Sequence, residues 1–245
     1  MSLPARIKKT LEPGKVHYSL RLLNHERVLE FDNDACVACG LCVHVCPIAD
    51  DVISMTGDDG EKIIVDIDRC VHCGTCAYFC VSDALTLKID GEERIELREP
   101  AGDIERHSLP DFTGVTLEHK DTGEPVKKYL SGSIKIDPAI GDATLMDGVN
   151  ACPTGALLIR EDGAPGFEER KCFFCDACSI ATKGKIAVTR TVLMMDFSEG
   201  VPPLIKRILE RLMGERAAAR ILKGNSTKKG MSQTLALMKG KGKES

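Results

Sequence analysis

Eight of the 12 cysteines in this 245-residue chain stand in two runs of identical spacing. Cys36, Cys39, Cys42 and Cys46 form the first, and Cys70, Cys73, Cys76 and Cys80 the second; both read C-x2-C-x2-C-x3-C. Three thiolates spaced this closely can wrap one corner of an iron–sulfur cube from a single tight loop, while the fourth, about a helical turn away, points elsewhere. Tetrahedral zinc is the alternative, since it also takes four thiolates from paired knuckles. Zinc, however, has no use for a third cysteine in each triplet followed by a fourth that leaves it. Disulfides fit poorly, because close-spaced triplets pair badly and nothing at the N-terminus resembles an export signal.

Both runs resemble those of bacterial two-cluster ferredoxins. In that arrangement the fourth cysteine of each run serves the other run's cluster. The resemblance implies that Cys36, Cys39, Cys42 and Cys80 hold one [4Fe–4S] cluster, and that Cys70, Cys73, Cys76 and Cys46 hold a second. The chain departs from the pattern at Val81, where a proline normally follows the fourth cysteine, and at Ile48 to Asp51, which lengthen the segment after Pro47.

The same spacing exposes a second, decayed pair of runs. Cys172, Cys175 and Cys178 make a complete triplet whose expected fourth ligand falls on Thr182. Counting back from Cys152-Pro153 puts the other run's first three ligands on Asp142, Leu145 and Gly148, none of which suits a cube. The losses are complementary: one site is gone, and Cys172, Cys175, Cys178 and Cys152 remain for a third cluster. Otherwise Cys152 is a buried thiol and the triplet binds something else.

The elements that must position these cysteines follow from hydrophobic alternation. Val16, Tyr18, Leu20 and Leu22, then Val28, Leu29 and Phe31, read as two short strands after a loosely held arm over 1–15. Ile63, Val65 and Ile67 form a strand delivering Cys70, with a turn over Gly57 to Gly60 before it. Leu85, Leu87 and Ile89 close the unit, and Ser133 to Asp137 look like a re-entry strand. Tyr78 and Phe79 are expected to pack the core, His17 and His25 to lie on the surface, and His44 and His72 to be exposed spacers. The fold expected is α+β: two tandem bacterial-type ferredoxin units, the second short of one cluster. The divisions are 1–30, an arm and short strands; 31–91, a two-cluster unit; 92–130, an inserted loop in which Val115 and Leu117 can form a hairpin; 131–193, a one-cluster unit; and 194–245, a basic helical tail.

Composition narrows the class. Aromatics make up 4% of the chain and Trp is absent, so the core is small and metal clusters would replace part of the missing hydrophobic stabilisation. The formal charge of −4 hides an acidic body and a tail that carries, from Val201 onward, 11 Lys or Arg against 3 Asp or Glu. Leu204, Ile205, Ile208, Leu209, Leu212 and Met213 recur there at helical spacing, with Lys206, Arg207 and Arg211 off the stripe. Such a helix can pack on its own domain, grip a partner subunit or rest on an anionic membrane. No ligand lies in it, so its removal should spare the clusters. Gly224 to Gly230 read as a hinge before a last short helix. With no export signal and no long apolar run, a cytoplasmic protein of an oxygen-poor cell is expected, with no transmembrane segment. No dinucleotide fingerprint, phosphate loop or nucleic-acid motif is present.

Beyond the cysteines, "CVHCGTCAYFCVSDALTLKIDG" with the following "IEL", and the later "SGSIKID", resemble the archaeal polyferredoxins, above all the polyferredoxin subunit of formylmethanofuran dehydrogenase. That resemblance implies an electron carrier, not an enzyme on its own, working with hydrogenase, heterodisulfide reductase or dehydrogenase modules. The rival is a structural or regulatory cluster adaptor that recruits partners through its tail. An enzyme with an incompletely ligated cluster ranks last, because the ligand count leaves no open iron.

Overall fold

The structure, a computed structural model, describes residues 6–22, 25–48, 51–56, 61–95, 110–197, 201, 203–216 and 218–219. The turn expected over Gly57 to Gly60, the hinge at Gly224 to Gly230 and the last short helix lie outside the described residues. Three strands open the chain: β1 (Arg6–Glu12), β2 (Lys15–Leu22) and β3 (His25–Asp32). They pair antiparallel in sequence, so the segment expected to be a loose arm is an edge strand from Arg6 on. Its pattern is hard to read because half its residues are polar on both faces, and only the partner β2 decides its conformation. Gly14 makes the first turn at φ 73°, and a side chain there would meet the Asp34 carboxylate.

The first cysteine run leads into α1 (Leu41–Val45), followed by the hairpin β4 (Ile53–Met55) and β5 (Ile63–Val65). The second leads into α2 (Thr75–Tyr78) and then β6 (Leu85–Ile89), which joins β3 on the sheet; β7 (Glu92–Glu93) completes the order β1-β2-β3-β6-β7. Tyr18, Leu29, Phe31 and Leu87 are buried on the inner face, against the cysteine loops. Tyr78 and Phe79 pack as expected, in an aromatic group with Phe112 and Tyr129.

The expected hairpin forms as β8 (Val115–Glu118) with β9 (Pro125–Lys128). Far from being a free loop, it clasps the molecule. Lys127 N–H donates to Val81 O at 2.8 Å, and Lys120 N–H to Pro153 O at 2.7 Å. Tyr129 Oη donates to Phe79 O. The re-entry strand is β10 (Leu130–Ile136); α3 (Asp142–Ala151), the hairpin β11 (Leu157–Ile159) and β12 (Pro165–Phe167), α4 (Ala177–Ala181) and β13 (Ile186–Leu193) follow, with β13 returning antiparallel along β10.

Helix α5 (Pro203–Met213) turns its apolar stripe inward. Leu204, Ile205, Ile208, Leu209 and Leu212 are buried in the same core as Tyr18 and Phe79, and Arg211 donates to Cys46 O. The stripe is therefore already covered, and the helix is a wall of the cysteine-bearing core, so its removal would not leave that core untouched. Truncating Leu209 to Ala, at a site with 0% exposure, should cost about 2–5 kcal/mol in chemical denaturation of the iron-loaded protein. Lys206→Ala on the exposed face should stay within about 0.5 kcal/mol.

Candidate metal centres

Each complete triplet adopts the same local backbone. Ala38, His72 and Phe174, two residues after the first cysteine of their triplets, all sit at positive φ, 50°, 50° and 57°. This left-handed conformation is costly for a residue with a side chain and persists where surroundings demand it. It turns an amide onto the first sulfur: Ala38 N–H reaches Cys36 Sγ at 3.4 Å, and Phe174 N–H reaches Cys172 Sγ at 3.3 Å. Gly40 and Gly74 continue at φ 74° and 82°. At the matching place in the third triplet stands Asp176, at φ −113°.

The thiols gather in fours. Burial lifts Cys36, Cys39 and Cys42 above the ordinary thiol range, and repulsion from Cys80 adds to each. Burial likewise raises Cys70 to about 11, together with Cys73 and Cys76, and Cys46 adds to all three. In the third group burial takes Cys172 to about 11 and Cys178 to about 12, with Cys152 repelling both. Cys152, Cys172, Cys175 and Cys178 line one cavity, whose other walls include Ile134, Leu157, Phe167 and Val188. All 12 cysteines are free of disulfides. Among the described residues, no three His, Cys, Asp or Glu side chains converge as they would on one zinc ion. A cube takes its four thiolates on four separate irons, so its ligands stand further apart. Iron would supply the positive charge that favours the thiolates of each triplet, and each group of four offers the donor set of a cube.

Residues 35–84 match the family model described as a 4Fe-4S dicluster domain. These residues form a 4Fe–4S dicluster domain. The chain is 40% identical over 63 residues to the aliphatic sulfonate oxidoreductase, polyferredoxin-like subunit, of Pyrococcus furiosus, a match covering 24% of this chain and 36% of that one. It thus spans about a third of that relative's length. A chain of the formate dehydrogenase–heterodisulfide reductase–formylmethanofuran dehydrogenase complex from Methanospirillum hungatei shares the fold, with TM-score 0.65 and 22% identity over 87% of this chain and 93% of that one. The Pyrococcus polyferredoxin-like subunit thus shares the archaeal polyferredoxin resemblance, and the family model matched by residues 35–84 is one of [4Fe–4S] clusters.

Several side chains around the domain depart from the sequence expectation or leave no signal in it. His72 is not an exposed spacer: it is 1% exposed, its Nε2 lies 2.9 Å from Tyr18 O, and burial holds its pKa below the ordinary value. His44 is only part-exposed, and it pairs with Asp176 across the boundary between the first and third triplets. Arg27 Nε donates to His72 O at 2.9 Å, and Arg190 Nε to Phe174 O at 2.8 Å, so in the second and third triplets a buried arginine from a neighbouring strand holds the left-handed residue. Nothing in the local spacing announces such cations, because their partners are carbonyls far along the chain. Arg190 Nη2 also reaches Asp176 Oδ2 at 2.5 Å. Burial pushes the Asp176 carboxyl upward, but His44 and Arg190 outweigh it and hold it below the usual carboxylate value.

The triplets also touch one another. Asp176 N–H donates to Cys39 O at 3.1 Å, and a side chain on Gly40 would lie 2.9 Å from Ile180 Cδ1, so the first loop meets α4 with no room to spare. Replacing Asp176 with Asn should cost about 1.5–3 kcal/mol by weakening a charge-assisted bond and leaving Arg190 under-compensated. Denaturation of the iron-loaded variant beside the wild type checks it, and His44→Ala should cost less than Asp176→Asn.

Proposed function

We propose that this chain is an iron–sulfur electron-transfer subunit of an oxidoreductase complex, carrying three [4Fe–4S] clusters in two tandem ferredoxin-like units. The first unit, 31–91, uses Cys36, Cys39, Cys42 and Cys80 for site 1, and Cys70, Cys73, Cys76 and Cys46 for site 2. The second unit, 131–193, uses Cys172, Cys175, Cys178 and Cys152 for site 3. The observation that carries the reading is the continuity of the thiol groups. Cys76 is repelled by Cys42 of site 1, and Cys175 feels Cys39 before any member of its own triplet. The series therefore runs site 2, site 1, site 3, with site 1 in the middle although it comes first in sequence.

Loss of a fourth site has a physical counterpart. Thr182 is fully buried; its Oγ1 donates to Cys178 O at 2.7 Å and accepts from Ile186 N–H at 3.1 Å. A Cβ on Gly148 would stand 2.8 Å from Thr182 Cγ2 and 3.1 Å from Ile186 Cδ1. Where a cube would need space, α3 and β13 close on each other around Leu145, Leu157 and Ile186.

When bound, the cubes supply one-electron chemistry. The chain's own part is to hold the thiolates, exclude water with Phe79, Tyr129 and Phe174, and fix the spacing of sites through the His44–Asp176–Arg190 bridge. The substrate chemistry then belongs to partner subunits of the hydrogenase, reductase or dehydrogenase type in the cytoplasm of an anaerobe. The two similar proteins, one an oxidoreductase subunit and the other a chain of an oxidoreductase complex, support that placement. Any docking by the tail falls to exposed groups such as Lys206 and Arg207, since the apolar stripe of α5 is covered.

Anoxically purified protein should contain about 12 iron and as many sulfide per chain, with reversibly reducible clusters. Cys152→Ser should remove about a third of the iron and one reduced-state signal, and Thr182→Cys should add none. Unchanged iron in Cys152→Ser would return Cys152 to a packing role.

A further inference from the structure

The three sites differ in the charge around them. At site 2 the Asp66 carboxylate acts on Cys70, while Arg69, paired with Asp51, and Arg211, which donates to Cys46 O, bring positive charge to Cys46. At site 1 Lys62 and Asp32 act on Cys36 in opposite senses, and Lys62, which donates to Cys36 O at 2.7 Å, is only part-buried. Site 3 has two buried cations, Arg190 and Lys128. Arg190 is matched by Asp176 and has its counterpart in Arg27 at site 2. Lys128 has no such match. Its ammonium donates to the carbonyls of Glu169 at 2.8 Å and Arg170 at 3.2 Å, and lies 5.6 Å from the centre of the Phe174 ring. Among the described residues no carboxylate is paired with it.

A buried ammonium held by carbonyls and an aromatic face, with no anion beside it, is an expensive arrangement. Its neighbourhood gives it a use. Glu169 and Arg170 lead directly into Cys172, and Phe174 is the left-handed residue of that same loop. A positive charge in a poorly screened setting favours added negative charge nearby, and net charge is one of the levers that set a cluster's reduction potential. Solvent cannot screen Lys128 as it screens Lys62.

Resting on the three-site reading above, we infer that Lys128 is the residue that makes site 3 the electron sink of the series, giving it the highest reduction potential of the three. A single electron delivered at site 2 or site 1 by a low-potential one-electron donor then comes to rest at site 3. Site 1 is left oxidised, site 3 gains the charge, and no proton or bond is exchanged. The inserted hairpin, which sequence spacing left without chemistry, thereby acquires a role: β9 carries this charge to site 3 while its Lys127 N–H bonds Val81 O, next to the site 1 cysteine Cys80.

The test is a redox titration of the full-length, iron-loaded protein, followed by electron paramagnetic resonance, on wild type, Lys128→Gln, Lys128→Arg and Cys152→Ser. In the wild type the first transition to be reduced should be the one missing from Cys152→Ser. In Lys128→Gln that transition alone should move to lower potential, with its reduction at least about tenfold less favourable, about 59 mV for one electron. Lys128→Arg should restore it, and iron content should stay at the wild-type value. A role in folding alone would lower iron content without moving the potential of what remains. If Cys152→Ser removes a transition other than the highest, or Lys128→Gln retains its iron and shifts none of the three, the inference is overturned. If Lys128→Gln fails to take up iron, the Cys152→Ser comparison decides. Fewer than three clusters in the wild type would instead count against the three-site reading itself.

Discussion

Four sulfurs buried together cannot all carry negative charge unless positive iron sits among them. On the reading proposed above, the described structure is arranged around three such groups. Burial raises Cys42, Cys76 and Cys175 far above the ordinary thiol range. Without iron those positions favour protonated thiols, which pack as small weakly polar groups and bind nothing. With iron the same burial becomes an advantage, because it keeps water from the sulfurs. The core, poor in aromatics and lacking Trp, packs its apolar side chains together with Cys46, Cys76 and Cys175.

The enclosure is assembled from distant parts of the chain. Strands β2, β3 and β6 supply Tyr18, Leu29, Phe31 and Leu87 on one side, and α5 supplies Ile205, Ile208 and Leu209 on another. Between them the hairpin β8–β9 is fastened at both ends by backbone bonds to Val81 and Pro153. Tight packing between loops replaces the long helices of larger cores. Gly40 illustrates the tolerance: its left-handed conformation and its approach to Ile180 both exclude a side chain.

Cysteine spacing carried most of what could be read in advance. It is a local signal, since the three cysteines of each triplet come from one loop. Alternation was equally legible in β6, where Leu85, Leu87 and Ile89 are buried in turn between half-exposed neighbours. What escaped was non-local. β1 is a strand only because β2 pairs with it. His72 looks like a spacer until Tyr18, from another strand, accepts its bond. Arg27, Lys128 and Arg190 hold carbonyls 45, 41 and 16 residues away, a relation with no sequence pattern. The stripe on α5 was visible as helical periodicity, but periodicity does not say which surface covers it; here the surface is the chain's own core.

On the proposed reading, twelve thiols form three crossed groups in the spatial order site 2, site 1, site 3. An anomalous-scattering map collected at the iron edge from an anoxically grown crystal tests it most directly. The account predicts three compact iron peaks: one among Cys36, Cys39, Cys42 and Cys80, flanked by one among Cys70, Cys73, Cys76 and Cys46 and one among Cys172, Cys175, Cys178 and Cys152. Two peaks only, a peak that leaves Cys152 unbound, or iron between Gly148 and Thr182 would contradict it.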